Sequence, residues 1–209
     1  PFDWLTAAHP SPDGDRIAIT ARGEIFIAPV KPGRIVHVTR DSGVRYRDAH
    51  FDHEGEHVIA LADATGELEY WRLDGAGYGE RTQLTDDSTI HRMGTTHSAD
   101  GRWIAWYDKD LALWLRDREA GMTRRIDEST RENFSGLVFS PDGRLLAYVK
   151  PAPNAFTQVF LYEIETERAI EVTSDRINSR APSFGDEGWL YFLSDRNFRT
   201  IAQEVAVSY

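Results

Sequence analysis

Two histidines and an aspartate are the residues of this sequence that come closest to a metal site. His9 and His50 lie 41 residues apart, and Asp48 stands two positions before the second histidine. Two imidazoles and one carboxylate form a ligand set that suits a divalent metal ion. The alternative is a pair of histidines that pack or hydrogen-bond in a seam, and we prefer it. We therefore predict no bound metal and no cofactor, with His9 and His50 as the candidate ligands should a metal bind.

Short basic pairs are the second group with chemical potential. Arg45 and Arg47 form one pair, and Arg124 and Arg125 form another. Most such arginines are solvated, but one that faces a tunnel could bind the carboxylate of a peptide. The candidate channel or peptide-binding residues are therefore His9, Arg45, Arg47, Asp48 and His50.

Other catalytic sets have little support in this sequence. It has no cysteine and no Gly-x-Ser-x-Gly elbow, so neither a thiol nor a hydrolase-type serine is indicated. The 34 acidic residues offer carboxylate pairs through abundance alone. His53 and His57 flank Gly55, where a two-ligand surface site competes with a plain solvated turn. The sequence contains no catalytic set, and whether the chain is an enzyme stays open.

A turn that recurs five times provides the elements that would position these residues. Ser11–Gly14 reads Ser-Pro-Asp-Gly. It returns unchanged at Ser140–Gly143 and as Ser-Ala-Asp-Gly at Ser98–Gly101, with weaker copies at 52–55 and 185–188. The closing glycines fall at 14, 55, 101, 143 and 188, so the steps are 41, 46, 42 and 45 residues. Repeats of about 40 to 45 residues with several short strands predict the blades of a β-propeller.

Each repeat follows the same plan of short strands. A first strand precedes the turn, and an apolar run follows it, as in a strand buried between neighbouring sheets. Two more strands complete a unit, and the last one is the more polar. We predict an all-β propeller of five repeat units with four-stranded antiparallel blades in a single domain. The fifth unit is incomplete, with 204–209 as a candidate third strand. The predicted units span 1–43, 44–88, 89–130, 131–175 and 176–209.

The acidic residues of the turns admit a metal interpretation and a geometric one. A short acceptor side chain in a turn caps local backbone amides, and no dense Asp-x-Asp-x-Asp-Gly loop is present. We assign these side chains to turn geometry. The turn acids are Asp13, Asp52, Asp100, Asp142 and Asp186.

The tryptophans are divided between core and surface by their positions. Four fall within strand runs and are predicted to be core, namely Trp103, Trp106, Trp114 and Trp189. Trp4 and Trp71 are predicted candidates for a peptide-binding surface, because aromatic rings supply contact area at interfaces.

Charge and hydropathy exclude some partners. The formal net charge is −10, which opposes binding to the polyanionic nucleic acids. No apolar run approaches the roughly 20 residues that span a bilayer, so no membrane segment is predicted. The first residues lack the pattern of a signal peptide. We expect a cytoplasmic protein, with the periplasm as the alternative.

One complete repeat carries a resemblance to known families. The run Phe139–Gly143 is followed by Leu145–Tyr148, then Phe160–Tyr162, then Val172–Thr173. This order resembles the blades of the Tol-system and tricorn-type propeller families. Three further stretches are similar to the seven-bladed propeller of tricorn proteases. They are Lys150–Thr157, Asn178–Phe184 and Leu190–Phe198.

The resemblance implies a fold and suggests a role. In tricorn-type proteases the propellers flank a separate serine-peptidase core and are thought to pass peptides toward or away from it. This sequence has five units instead of seven and lacks the catalytic region, so no catalytic residue is carried over. The first functional expectation is a non-catalytic propeller segment that scaffolds, gates or binds peptides.

Two alternatives from other functional classes stay open. One is a TolB-like module for protein–protein interaction, and the other is a metal-dependent hydrolase that uses the tunnel histidines. The expected partners are a peptide or a protein, without nucleic acid or membrane. Open blade edges could also join copies of the chain into a homo-oligomer.

Overall fold

The computed structural model describes residues 4–40, 43–52, 54–86, 91–185 and 187–196. The regular secondary structure of this part of the chain consists of β-strands alone. They form four four-stranded sheets and one two-stranded sheet. None of these residues belongs to a helix that could span a bilayer. All neighbouring strands within a sheet are antiparallel. The prediction of an all-β propeller with an incomplete fifth unit is confirmed.

Each sheet is a meander, because its strands follow one another in chain order. Blade 1 contains β1 (Leu5–Pro10), β2 (Arg16–Ala21), β3 (Glu24–Pro29) and β4 (Val36–His37). Blade 2 contains β5 (Tyr46–Phe51), β6 (His57–Ala62), β7 (Glu69–Asp74) and β8 (Thr82–Gln83). Blade 3 contains β9 (Arg92–His97), β10 (Trp103–Asp108), β11 (Ala112–Asp117) and β12 (Met122–Glu128). Blade 4 contains β13 (Ser135–Phe139), β14 (Leu145–Pro151), β15 (Thr157–Glu163) and β16 (Arg168–Glu171). The fifth sheet contains β17 (Ser179–Phe184) and β18 (Leu190–Ser194). The candidate strand at 204–209 lies outside the described residues.

The first strands of the blades lie nearest the common axis. Strand β1 contacts β5, β9 contacts β13, and β13 contacts β17. Blades 2 and 3 are joined by side chains of the same inner strands, including a bond from His97 to the carbonyl oxygen of Phe51. Since every first strand runs toward the turn that joins it to the second strand, the first strands begin at one face of the ring and these turns lie at the other.

The recurring turn is fixed by its serine and its aspartate. In blade 4, Ser140 Oγ accepts a hydrogen bond from the amide of Leu145 at 2.9 Å and donates one to Asp142 Oδ1 at 2.6 Å. Asp142 in turn accepts the amide of Arg144 at 3.1 Å. Gly143 has φ of +68°, a value that glycine adopts without strain. The turns at Ser11 and Ser98 repeat these contacts.

The turn of blade 2 differs from the others. Asp52 occupies the serine position, where its Oδ1 accepts the amide of His57 at 3.2 Å. Glu54 occupies the position of the turn aspartate instead. Asp52 caps a backbone amide of its turn, as predicted, but it does so from the serine position, two residues before the place of the aspartate in the other turns. Asp186 lies outside the described residues.

The hydrophobic core is divided among the seams between blades. One cluster joins blades 1 and 2 and includes Ile25, Tyr46, Phe51, Val58 and Trp71. A second joins blades 2 and 3 through Ile59, Leu61, Tyr70, Ile104 and Trp106. A third joins blades 3 and 4 and includes Leu113, Phe134, Phe139, Leu146 and Tyr148. Each of these three seams therefore has its own packed interior, as expected for units that contact only their neighbours.

Two tryptophans depart from their predicted environments. Trp71 was a surface candidate, but it is only 9% exposed and packs in the seam between blades 1 and 2. Trp189 was a core candidate, but it is 65% exposed. Trp189 adjoins β18 in the two-stranded fifth sheet, which explains its exposure. Trp4 is 59% exposed and so lies at the surface, while its role in peptide binding stays a prediction.

Candidate functional site

An irregularity recurs at one position of four first strands. Residues 48, 94, 136 and 181 have φ of +52°, +49°, +60° and +50°. Each lies where the pairing of the first strand with the second shifts register. Bulges of this kind redirect side chains. At Gly94 a side chain would be excluded, because an added Cβ would stand 2.4 Å from the Tyr107 ring.

The bulge in β5 directs Asp48 between three blades. Its Oδ1 lies 3.3 Å from Nε2 of His9 in blade 1, and its Oδ2 accepts the amide of Thr95 in blade 3 at 3.1 Å. Burial works to raise the pKa of the Asp48 carboxyl. The hydrogen bond from His9 and the charges of the nearby histidines outweigh burial, so the pKa lies below its usual value. One carboxylate thus connects three neighbouring inner strands.

Three histidine rings follow one another beside this carboxylate. The His9 and His50 rings are 6.1 Å apart edge to face, and His50 stacks on His97 at 4.8 Å. His50 Nδ1 lies 3.1 Å from the carbonyl oxygen of Asp48, so it donates, and its buried Nε2 has no partner. Burial, reinforced by His97, lowers the pKa of His50 to about 3. His50 is therefore a neutral ring at physiological pH.

His97 has two carbonyl acceptors. Its Nδ1 lies 3.0 Å from the oxygen of Ser98, and its Nε2 lies 2.6 Å from the oxygen of Phe51. A carbonyl oxygen only accepts, so the ring makes both bonds at once only when both nitrogens carry protons. His97 was not among the predicted site residues. It meets His50 because β9 and β5 are neighbouring first strands whose side chains contact each other across the seam.

The histidine contacts describe a hydrogen-bonded seam. His9 uses Nε2 on Asp48, and His50 uses Nδ1 on the same residue. Within the described ranges, the one group of three acidic or histidine side chains whose ligand atoms all lie within 4.8 Å of one another consists of Asp52, Glu54 and His57. His53, the other half of the predicted surface pair, lies outside the described residues.

A cavity of about 970 Å³ opens at the face where the first strands begin. Its polar lining consists of Thr6, Arg22, Arg45, Arg47, Asp48, His91 and Arg92, and its apolar lining includes Trp4, Tyr46, Leu61 and Met93. Three of the predicted site residues, Arg45, Arg47 and Asp48, therefore lie together in one cavity. His9 and His50 lie beside Asp48 but are not part of the lining.

The arginines of this cavity have different partners. Arg92 is buried, with Nη1 2.9 Å from Glu69 Oε2, and it lies 4.6 Å from the ring centre of Trp106. Arg22 lies over the Trp4 ring at 5.6 Å. Arg47 Nη1 lies 3.5 Å from His91 Nε2, so the arginine donates and the imidazole accepts. Among the described residues, no carboxylate lies within 4.0 Å of the guanidinium of Arg22, Arg45 or Arg47.

Sequence reasoning missed Arg22, His91 and Met93. Arg22 lies in the turn between β2 and β3 with φ of +57°, and His91 precedes β9. The sequence did contain a signal for their position, because the turn after a second strand and the start of a first strand lie at the same face of a propeller. To use that signal, the strand directions of two blades have to be considered together.

The comparisons with known proteins agree with this architecture. Residues 5–209 match the family model for the tricorn protease second beta propeller domain. The chain is 30% identical to Tricorn protease homolog 1 of Streptomyces coelicolor over 96% of this chain and 19% of that protein. It is 22% identical to the tricorn protease of Thermoplasma acidophilum over 94% of this chain and 19% of that protein. The chain thus spans about a fifth of the length of these curated relatives.

Solved structures share the fold. The crystal structure of the tricorn protease superposes with a TM-score of 0.77 and 19% identity, over 93% of this chain and 19% of that chain. The structure of a TolB protein from Agrobacterium tumefaciens gives a TM-score of 0.71 and 17% identity, over 91% of this chain and 69% of that chain. Both likenesses concern the arrangement of the blades.

Proposed function

This chain belongs to the family of tricorn protease second β-propeller domains, and we propose that it serves a longer serine-type peptidase as a segment that binds and gates peptides. In this proposal the segment is non-catalytic, and the peptidase core is a separate part of the protein. The span of the chain, about a fifth of its relatives, fits a part of a larger enzyme.

The observation that carries the proposal is the position of the cavity. It lies where β1, β5 and β9 begin, at one end of the region enclosed by the first strands. Its volume of about 970 Å³ falls in the range of binding pockets, roughly 300 to 1,000 Å³. An opening at the axis is where an extended chain would enter or leave a propeller.

The inner histidines support a non-catalytic role. His9, His50 and His97 contact a carboxylate or backbone carbonyl oxygens, and none of these contacts activates a hydroxyl. Nucleophilic catalysis by serine or threonine needs a base within hydrogen-bond reach of the hydroxyl. The geometry near the axis therefore favours binding over chemistry.

Peptide binding by the 209-residue chain tests the proposal. Trp4 lines the cavity, so a bound peptide is expected to change its fluorescence, and Trp4→Phe is expected to abolish that change. The same peptides, incubated and analysed by mass spectrometry, are expected to stay intact. Cleavage of a peptide by the purified chain would contradict the non-catalytic role. If none of the peptides binds, the binding role is contradicted.

A protein-interaction module is the second candidate function. The observation in its favour is the exposure of large apolar side chains on the fifth sheet, namely Trp189, Tyr191 and Leu193. Light scattering tests whether copies of the chain associate there, and Leu193→Ser is expected to reduce any association.

We place the protein in the cytoplasm, with the periplasm as the alternative compartment.

A further inference from the structure

The cavity concentrates positive charge in a strongly acidic chain. Arg22, Arg45 and Arg47 surround its opening, although the net charge of the chain is −10. We propose that this cavity selects peptides by their carboxylates, provided by a free C-terminus or by aspartate and glutamate side chains. The proposal deepens the proposed function and rests on it.

Arg45 and Arg47 are held in place, and no carboxylate of the described residues lies within 4.0 Å of either guanidinium. Arg45 immediately precedes β5 and Arg47 is the second residue of that strand, and both side chains line the same cavity. The stem of Arg45 crosses Gly23 so closely that a Cβ there would lie 2.9 Å from Arg45 Cγ. The contact with His91 Nε2 orients Arg47, because the imidazole accepts without adding negative charge. Both residues are exposed and have N–H groups to spare.

The acidic groups near the cavity accept hydrogen bonds from the chain itself, and one of them, Asp63, accepts the backbone amide of Arg45 at 2.7 Å. Asp48 uses one oxygen on His9 and the other on the amide of Thr95. Glu69 accepts from the buried Arg92, so this pair adds no charge to the cavity. Among the lining residues, the three guanidinium groups of Arg22, Arg45 and Arg47 therefore outnumber the one carboxylate left without a buried arginine partner, that of Asp48. Guanidinium groups bind carboxylates through two parallel hydrogen bonds, which fixes both position and orientation.

The apolar part of the lining suits the rest of a peptide. Trp4, Tyr46, Leu61 and Met93 border the same space as the arginines. Arg22 lies over the Trp4 ring, so one aromatic surface and one cation face the opening together. An uncharged peptide would contact the apolar part alone, whereas a carboxylate adds the arginine contacts. The cavity therefore distinguishes peptides by charge more than by shape.

Four fluorescent peptides of equal length test this selectivity on the 209-residue chain. One is uncharged with both ends blocked, and one has the same sequence with a free C-terminal carboxylate. The third is blocked and carries two internal glutamates, and the fourth is blocked and carries two internal lysines. We expect each carboxylate peptide to bind roughly three- to tenfold more tightly than the uncharged one, and the lysine peptide most weakly. The tighter of the two carboxylate peptides identifies the source of the carboxylate. Added salt is expected to weaken only these two.

Variants connect the selectivity to the arginines. Arg45→Gln/Arg47→Gln is expected to reduce carboxylate binding to the level of the uncharged peptide. Arg125→Gln/Arg168→Gln removes the same charge from the outer strands of blades 3 and 4 and is expected to leave binding unchanged. Circular dichroism verifies the fold of each variant. If the double variant fails to fold, Arg47→Lys replaces it in the test. This variant keeps the charge but loses the planar guanidinium, and we expect its affinity for carboxylate peptides to be intermediate.

The outcomes separate the two proposals. Equal binding of all four peptides would overturn carboxylate selection and leave the peptide-binding role intact. Binding of none would overturn both. Stronger competition by a single-stranded oligonucleotide than by the glutamate peptide would assign the cavity to phosphates and also overturn the inference. Preference for both carboxylate peptides, lost in Arg45→Gln/Arg47→Gln and kept in the control variant, supports it.

Discussion

The carboxylate of Asp48 lies 3.3 Å from Nε2 of His9, in the neighbouring blade. The other oxygen of Asp48 accepts the amide of Thr95, one blade further in the opposite direction. Asp48 reaches both because its backbone adopts φ of +52° at a bulge of β5. One side chain on one unusual backbone conformation therefore contacts both neighbouring blades, in addition to the packing of the seams.

Substitutions at Asp48 separate the side-chain effect from the backbone effect. Asp48→Asn keeps the shape and an acceptor for Thr95, and we expect a loss of about 1 kcal/mol from the missing charge. Asp48→Ala loses the contacts and retains a Cβ at positive φ, and we expect a loss of about 3 kcal/mol. Asp48→Gly relieves the strain and should be less destabilised than Asp48→Ala by about 1 kcal/mol. Urea unfolding measures each value, and equal stability of the Gly and Ala variants would contradict the strain argument.

Acid should weaken the contribution of Asp48. Its pKa is lower in the folded chain than in the unfolded chain, where the usual value is 3.8. The stabilisation is therefore fully present above that value and is lost as the pH falls through the folded pKa. The difference in unfolding free energy between the wild type and Asp48→Asn should shrink below about pH 4. A difference that stays constant down to pH 2 would contradict this prediction.

His50 should make the fold sensitive to pH over a higher range. Its pKa is about 3 in the folded chain and 6.5 as an unperturbed group. The unfolded state binds the proton first, so stability is full above pH 6.5 and falls as the pH drops toward 3. The slope from this one proton is about 1.4 kcal/mol per pH unit. His50→Phe, which keeps a ring to stack on His97, should lose this slope. Thr96→Ala, at the same position of blade 3, should retain it.

The serine of the recurring turn should be worth more than an exposed hydroxyl. Ser140 both accepts the amide of Leu145 and donates to Asp142. Ser140→Ala leaves that amide without its acceptor, and we expect a loss of about 1–2 kcal/mol by thermal or chemical unfolding. In blade 2, Asp52→Ser should be tolerated better than Asp52→Ala, because serine restores the acceptor for His57. A chelator should not change the melting temperature of the wild-type chain or of these variants. A large change in melting temperature would favour the metal interpretation of the turns.

Arg92 and Glu69 should behave as one unit in the seam between blades 2 and 3. Both are nearly fully buried, at 4% and 3% exposure, and Thr85 donates to the same Glu69 oxygen. Arg92→Met or Glu69→Gln alone leaves a buried polar group uncompensated, and we expect a loss of about 3–5 kcal/mol. The double variant should lose less than the sum of the two single variants. Additive losses in this double-mutant cycle would show that the two side chains act independently.

Local periodicity made the architecture predictable from the sequence. The Ser-x-Asp-Gly turn needs only contacts within six residues, as Ser140 and Leu145 show, so its signature is visible in any single copy. The incomplete fifth unit followed from counting strands. The replacement in blade 2 broke the alignment because Asp52 performs the task of serine two positions before the usual acid.

The candidate site depends on relations between blades, and these were only partly visible. Asp48 shares a sequence column with Gly94 and Gly136, and that column was a signal for positive φ that the sequence analysis did not use. Arg45 and Arg47 were identified from their charge and spacing. Arg22 joins them only because the turn after β2 lies at the same face of the ring as the start of β5. Charge and spacing along the chain do not contain that information.

The division of the core among seams has a consequence for the history of such proteins. Each packed interior is formed by two adjacent blades. The loss or duplication of one repeat therefore requires only that one new pair of neighbouring blades pack well against each other. A chain with one continuous interior would have to rebuild all of it. This architecture can therefore gain or lose repeats with few compensating substitutions. The number of blades can change while the arginines that line the cavity are kept.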